Sequence, residues 1–225
     1  MKINIIVATE QEVEPFLELY NKAGFKVHPN NFLKYKNHEI ALTITGAGMV
    51  NTLFRMGRIT GDNFDVIINV GICGSFDKKI KIGTVVNVMV DTFADIGAED
   101  GEKFLTIEEL NLGGPIKIGN DKCRIKNKTI DALPKVNGIT VNTVHGNKKS
   151  IEKVKKKFNP EIETMEGAAF MYYCDWDSLQ YVQIRAVSNY VEERNTKNWN
   201  IPLAVKNLNT TLMHILDTIK KPKLE

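Results

Sequence analysis

Several strand ends in this chain carry residues able to do chemistry on a small polar ligand. Glu12 follows the first apolar run, Gly46-Ala47-Gly48 a second, Gly71 to Ser75 a third, and Ser188-Asn189 the last; Glu166 and Arg185 lie near other strand boundaries. Open α/β sheets bind ligands beyond the carboxyl ends of their strands, so these are the positions to weigh. A carboxylate such as Glu12 or Glu166 can exchange protons. The Gly46 to Gly48 loop could cradle an anion, although Asn51 breaks the full glycine fingerprint and apolar Met49 and Val50 follow it. Ile72, Cys73 and Gly74 would let backbone approach a flat ligand. Each feature also has a structural explanation. Thr9 and Glu12 fit a capping box. The glycines fit tight turns, and Met165-Glu166-Gly167-Ala168 fits a closely packed helix start. Arg185, inside the apolar run Val182 to Val187, calls for pairing with Glu166 or another acid. Cys73 has no visible His/Asn partner and does not read as a nucleophile.

The elements that must position these residues alternate in type. Ile3–Val7, Val66–Val70 and Tyr181–Val187 are short apolar runs that read as buried strands. Phe25–Val27 is a further strand candidate. Phe32–Tyr35 and Glu39–Thr45 read as a hairpin around Lys36-Asn37-His38. Thr84–Thr92 and Ile139–Val144 add two strands. Helices are expected after Thr9 (with Val13, Phe16, Leu17 and Tyr20 on one face), from Val50 to about Ile59, over Ser150–Phe158 and Glu166–Cys174, and from Pro202 onward. Thr106 and Glu109 form a second capping-box pair, which predicts a short helix there. Alternating strands and helices, without repeat or linker, indicate one α/β domain over residues 1–225 with a mixed central sheet flanked by helices. The terminal Leu224-Glu225, of the kind a cloning site leaves, is set aside.

Composition narrows the partners. At 225 residues, with 43% hydrophobic and 25% charged residues, the chain is an ordinary globular one rather than disordered or fibrous. Thirty basic against 27 acidic side chains is too mild an excess to imply nucleic acid. The one basic cluster, Lys153, Lys155, Lys156 and Lys157, reads as a solvated helix face. No apolar run approaches the ~20 residues of a membrane span, and no signal peptide is visible. Three scattered cysteines and four scattered histidines fit a reducing cytoplasm, without a zinc site or other metal or cofactor.

Together, four motifs resemble the nucleoside phosphorylase and nucleosidase superfamily, in order and over nearly the whole chain. They are Ile5-Ile6-Val7-Ala8-Thr9-Glu10-Gln11-Glu12-Val13, Asn69-Val70-Gly71-Ile72-Cys73-Gly74-Ser75, Glu163-Thr164-Met165-Glu166-Gly167-Ala168 and Arg185-Ala186-Val187-Ser188-Asn189. Asp95-Ile96-Gly97-Ala98-Glu99-Asp100, the stretch from Ser188 to Asn195 and Trp199-Asn200-Ile201-Pro202 with Ala204 resemble the futalosine hydrolase family within it. That resemblance implies the superfamily fold and metal-free hydrolysis of futalosine to hypoxanthine and dehypoxanthine futalosine, in menaquinone synthesis. It further implies Glu12 as general base, Glu166 as acceptor of ribose hydroxyls, Met165 against the sugar, and Arg185 orienting Glu166 or the water. Ile72, Cys73 and Gly74 would line the base pocket; Met49 and Val50 count as further substrate-binding residues, and their apolar character after the glycine loop favours water over phosphate as the nucleophile. Members are generally homo-oligomers, so at least a dimer is expected. Asn189 departs from the adenine-specific nucleosidases, which carry an aspartic acid that protonates N7. An amide offers one donor and one acceptor, which suits O6 and a protonated N7 of hypoxanthine. No aromatic residue follows Gly146 before Phe158, so base stacking has no evident source. An adenine nucleosidase, a purine nucleoside phosphorylase and a non-catalytic nucleoside-binding protein are the competing readings.

Overall fold

A computed structural model describes residues 1–22, 32–59, 63–120 and 125–221. The expected Phe25–Val27 strand, Cys123 and the terminal Leu224-Glu225 lie outside them. In chain order the elements are β1 (Lys2–Val7), α1 (Glu14–Lys22), β2 (Leu33–Tyr35), β3 (His38–Ile44), α2 (Met49–Met56), β4 (Val66–Ser75) and β5 (Val85–Phe93). Next come β6 (Gly97–Asp100), β7 (Lys103–Thr106), β8 (Lys117–Gly119), α3 (Lys128–Ala132), β9 (Lys135–Thr140) and α4 (Lys148–Phe158). The chain continues through β10 (Ile162–Thr164), α5 (Gly167–Trp176), β11 (Tyr181–Tyr190) and α6 (Ile201–Thr218).

The main sheet runs β10-β9-β5-β11-β4-β1-β3-β2, with β8 on β5 and a further pairing of β10 with β4. That pairing closes β10, β9, β5, β11 and β4 into a ring. Strands β1, β4 and β11 are mutually parallel, whereas β5 is antiparallel to β11 and β10 to β4. This is the expected single-domain α/β fold with a mixed sheet. Helices cover both faces, which is why the strands read as continuous apolar runs. On β1, Ile3, Ile5 and Val7 face Leu208, Leu212 and Ile215 of α6, while Ile6 faces the α2 and α5 side with Met49 and Phe170.

Three expectations are corrected. β4 does not stop at Val70 but continues through Gly71-Ile72-Cys73-Gly74 to Ser75, because β11 pairs with it over this length. The Thr106/Glu109 hydrogen bonds form, at 2.7 and 3.2 Å, yet close only turns and no helix. The strand expected over Ile139–Val144 lies earlier, at Lys135–Thr140, where β5 and β10 hold it. The lysine cluster of α4 is more than a solvated face: Lys153 meets Glu102 and Lys157 meets Glu109, tying α4 to the β6–β7 region.

Candidate active site

A cavity of about 340 Å³ opens where the ends of β1, β4, β10 and β11 converge. Glu12, Ile72, Cys73, Gly74, Met165, Glu166 and Asn189 all line it. Arg185, Met49 and Val50 do not. Arg185 lies buried beneath it, Met49 is packed into the core beside α5, and Val50 is 77% exposed on α2.

Glu12 takes the capping position expected of it and also lines the cavity. Its Oε2 accepts the Thr9 backbone N–H at 3.0 Å, the return bond of a capping box, and also accepts from the Thr9 hydroxyl at 3.1 Å. Its Oε1 accepts the Ile72 N–H at 2.9 Å, which ties the carboxylate to β4 and leaves it at the cavity wall. Asn209 of α6 donates to the Glu12 carbonyl at 2.9 Å and holds the turn from behind.

Glu166 precedes α5. The first N–H groups of that helix are met by hydroxyls: Gly167 donates to Thr164 Oγ1 at 3.1 Å and Ala168 to Thr140 Oγ1 at 2.7 Å. Glu166 Oε1 accepts the Gly48 N–H at 2.8 Å. The glycine loop therefore does cradle an anion, and that anion is the protein's own carboxylate. Gly48 does this with φ of 93°, a conformation that favours glycine. Burial pushes the Glu166 carboxyl above its ordinary range, with Glu12 adding to the rise, against the opposing field of Arg185 and the Gly48 hydrogen bond.

Arg185 is paired in register with Gly71. Its Nε donates to Gln183 Oε1 at 3.0 Å and its Nη2 to Asn69 Oδ1. Its hydrogen bonds thus go to neutral amides rather than to Glu166, which it reaches through its field. Gln183 Nε2 in turn donates to Asp91 at 3.1 Å, and Thr140 donates to the other Asp91 oxygen at 2.9 Å. Gly167 sits over this chain of contacts: a Cβ there would overlap both Asp91 Oδ2 and Gln183 Oε1.

Burial pushes the Asp91 carboxyl up to about 6, against hydrogen bonds from Gln183 and Thr140 and the field of Arg185. A folded value above the unfolded one means the folded chain holds this proton to higher pH. The stability it contributes is full below the unfolded aspartate value and is lost as pH rises through the folded one. Asp91→Asn cannot titrate. Wild-type stability minus that of the variant should therefore fall by about 1–3 kcal/mol between about pH 4 and pH 7. Urea denaturation at stepped pH reads this; a flat or rising difference would contradict it.

Asn189 follows a bulge in β11 at Val187/Asn189 and stands opposite Gly74. Its Oδ1 accepts from the Ser188 hydroxyl at 2.8 Å and its Nδ2 donates to the Tyr190 carbonyl at 3.1 Å. Each group keeps further capacity for a ligand: the oxygen a second lone pair, the nitrogen a second proton. Cys73 is buried, and burial raises its thiol to about 12, so at neutral pH it is wall rather than nucleophile.

Sequence reasoning missed His145 and gave no role to Glu163 or Trp199, although both stand in quoted motifs; all three line the cavity, as does Arg194, which the resemblance had suggested for the carboxylate on the 5′ side of the substrate. The Arg194 guanidinium lies 5.0 Å from the Trp199 ring centroid. Trp199 and Tyr190 also supply aromatic surface at the cavity, which no spacing after Gly146 had signalled. Among the described residues no group of His, Cys, Asp and Glu has the arrangement of a metal site, and no helix is long and apolar enough to cross a membrane.

The fold and this strand-end cavity, lined by the buried carboxylates of Glu12, Glu163 and Glu166, define an α/β protein with a small-molecule-sized site. The sequence profile of the family described as "Phosphorylase superfamily" matches residues 2–109. An aminodeoxyfutalosine nucleosidase of Campylobacter jejuni is 27% identical over 86% of this chain and 88% of its own. A 5'-methylthioadenosine/S-adenosylhomocysteine nucleosidase of Buchnera aphidicola is 26% identical over 97% and 99%. A futalosine hydrolase of Acidothermus cellulolyticus is 27% identical over 92% and 88%. The solved futalosine hydrolase of Helicobacter pylori shares the fold, with a TM-score of 0.76 at 18% identity over 96% of this chain and 97% of that one. The chain is thus similar to the phosphorylase superfamily over its first half, and along most of its length to nucleosidases whose stated substrates differ.

Proposed function

We propose that residues 1–225 act as one nucleosidase domain that hydrolyses the N-glycosidic bond of futalosine, releasing hypoxanthine for a menaquinone route. The observation that carries the choice of base is Asn189, an amide in the cavity wall where an adenine-directed site would hold a carboxylic acid. Glu12 takes a proton from the attacking water. Glu166, fixed by Gly48, accepts hydrogen bonds from the ribose hydroxyls, and Met165 packs on the sugar. Charge builds on the sugar as on an oxocarbenium ion. Asn189 meets O6 and the protonated N7 of the departing base, and Ile72, Cys73 and Gly74 form its wall. Arg185 acts from beneath by biasing Glu166. Met49 and Val50 have no part, since neither reaches the cavity.

Water is favoured over phosphate as the nucleophile for a geometric reason. The Gly48 N–H that could have bound phosphate is taken by Glu166, and Arg55 and Arg58 do not line the cavity. The reading also includes a cytoplasmic location and assembly into at least a dimer, which sedimentation would test.

The curated relatives favour adenine nucleosides as the second reading. Incubation with futalosine, aminodeoxyfutalosine and methylthioadenosine in phosphate-free buffer, followed by chromatography of free base, separates the two. Hypoxanthine from futalosine as the main product is expected. Adenine as the main product would overturn the choice of base, and strict phosphate dependence would overturn hydrolysis. Asn189→Asp should lower kcat/KM for futalosine by about 100-fold relative to adenine nucleosides, because a polar site rejects a mismatched partner strongly. An unchanged ratio would remove Asn189 from base selection.

A further inference from the structure

An amide at position 189 can hold a proton on the base but cannot deliver one. The proposed reaction therefore lacks a general acid, and the cavity contains a candidate that the four motifs do not include. His145 Nδ1 contacts Glu163 Oε2, and the His145 backbone N–H donates to Glu163 Oε1 at 2.9 Å. Glu163 is buried, whereas the His145 side chain keeps 16% of its surface, and both residues line the cavity. A carboxylate on Nδ1 fixes the proton there and leaves Nε2 as the nitrogen free to exchange one.

Sheet register sets where this pair stands. Glu163 pairs with Gly74 across β10 and β4, and Gly74 pairs with Asn189 across β4 and β11. The three positions form one row, and the middle one has no side chain. Glu163 and Asn189 therefore flank the Gly74 gap. A Cβ at Gly74 would come within 3.3 Å of Asn189 Nδ2 and 2.8 Å of Val191 Cγ2, so the gap depends on glycine. Residue 145 is thereby brought to the base end of the cavity, while Glu12 and Glu166 hold the sugar end.

We propose that His145 is the general acid of the reaction and Glu163 its positioning residue; this rests on the nucleosidase reading above. As the C1′–N9 bond breaks, its electron pair moves onto the purine. The proton on His145 Nε2 passes to purine N7, where the Asn189 amide oxygen then holds the N7–H. Water adds to C1′ and loses its proton to Glu12. His145 ends neutral, Glu12 ends protonated, and exchange with solvent restores both. The division of labour explains how an asparagine can stand at 189: donation and retention of the proton are assigned to different side chains.

The test is the dependence on leaving group. Release of free base is measured for futalosine, which yields hypoxanthine, and for its analogue with fluorine at purine C2, which yields 2-fluorohypoxanthine and whose base departs more readily without a proton. His145→Gln should lower kcat on futalosine by about 100-fold, and on the fluoro analogue by about ten-fold less than that, since an acid matters most for the poorer leaving group. Glu163→Gln, which leaves the imidazole in place, should show the same split at smaller size and keeps the test readable if His145→Gln fails to fold. Equal losses on both substrates, or a futalosine loss under about three-fold, would overturn the proposal. Wild-type protein inactive on both substrates would instead overturn the futalosine reading beneath it.

Discussion

Glu12→Gln should lower kcat for futalosine hydrolysis by about 100- to 1,000-fold with little change in KM, the size expected when a positioned base is removed. Glutamine keeps the volume of the side chain and one carbonyl oxygen. It cannot keep the contacts. Thr9 offers an N–H and a hydroxyl to one carboxylate oxygen, and Ile72 offers an N–H to the other. A glutamine NH2 must face one of these backbone donors, so one buried N–H loses its acceptor, at a cost of about 1–3 kcal/mol. The variant should therefore be both slower and somewhat less stable. The two effects are separable, because a folded variant at 20 °C reports kcat alone. A kcat within three-fold of wild type would mean that the attacking water gives its proton elsewhere.

Gly71→Ala should be nearly as damaging, although position 71 carries no functional group. A Cβ there would overlap Arg185 Nη1 and lie 2.9 Å from Glu12 Oε1. Neither neighbour can retreat easily. Arg185 is 1% exposed and held by Asn69 and Gln183, and Glu12 is held by Thr9 and Ile72. Overpacking of this kind costs about 1–3 kcal/mol, and here it displaces the proposed base and the cation that biases Glu166. Activity should fall by at least about 100-fold, since small misplacements of catalytic groups cost that much. Gly114→Ala is the control: a Cβ there meets nothing within 4 Å, so stability should stay within about 0.5 kcal/mol. Wild-type activity and thermal midpoint in Gly71→Ala would show that Arg185 and Glu12 can shift without consequence.

The two variants mark the boundary between local and distant information. The capping box of Thr9 and Glu12 spans four residues, and its hydrogen-bonding chemistry is readable from side-chain types alone. The same holds for the apolar runs, for the hairpin around Lys36-Asn37-His38, and for the helix whose first turn contains Pro202, capped by Asn200 donating no proton but accepting from Leu203 N–H at 3.1 Å. Local reading fails where a neighbour overrides it. Gly71 to Ser75 reads as a turn because it holds two glycines, yet β11 along its length and β10 at its end draw it into the sheet. The Thr106/Glu109 pair reads as a helix start, yet its hydrogen bonds end in turns.

The alternation of strands and helices, the local cap that turns Glu12 back over Thr9, and the carboxylates and amide at the strand ends are legible in the residue order. Those features depend on neighbours a few residues apart, whose relative positions backbone geometry sets. What each group faces follows from the packing of distant strands. Gly48 reaches Glu166 across 118 residues, Arg185 reaches Asn69 across 116, and His145 meets Glu163 because β9 and β10 pair. The same packing removed Met49 and Val50 from the cavity and brought in His145, Glu163, Arg194 and Trp199. Contacts of that range are set by which strands pair and in what register, and no local pattern of residue types encodes them.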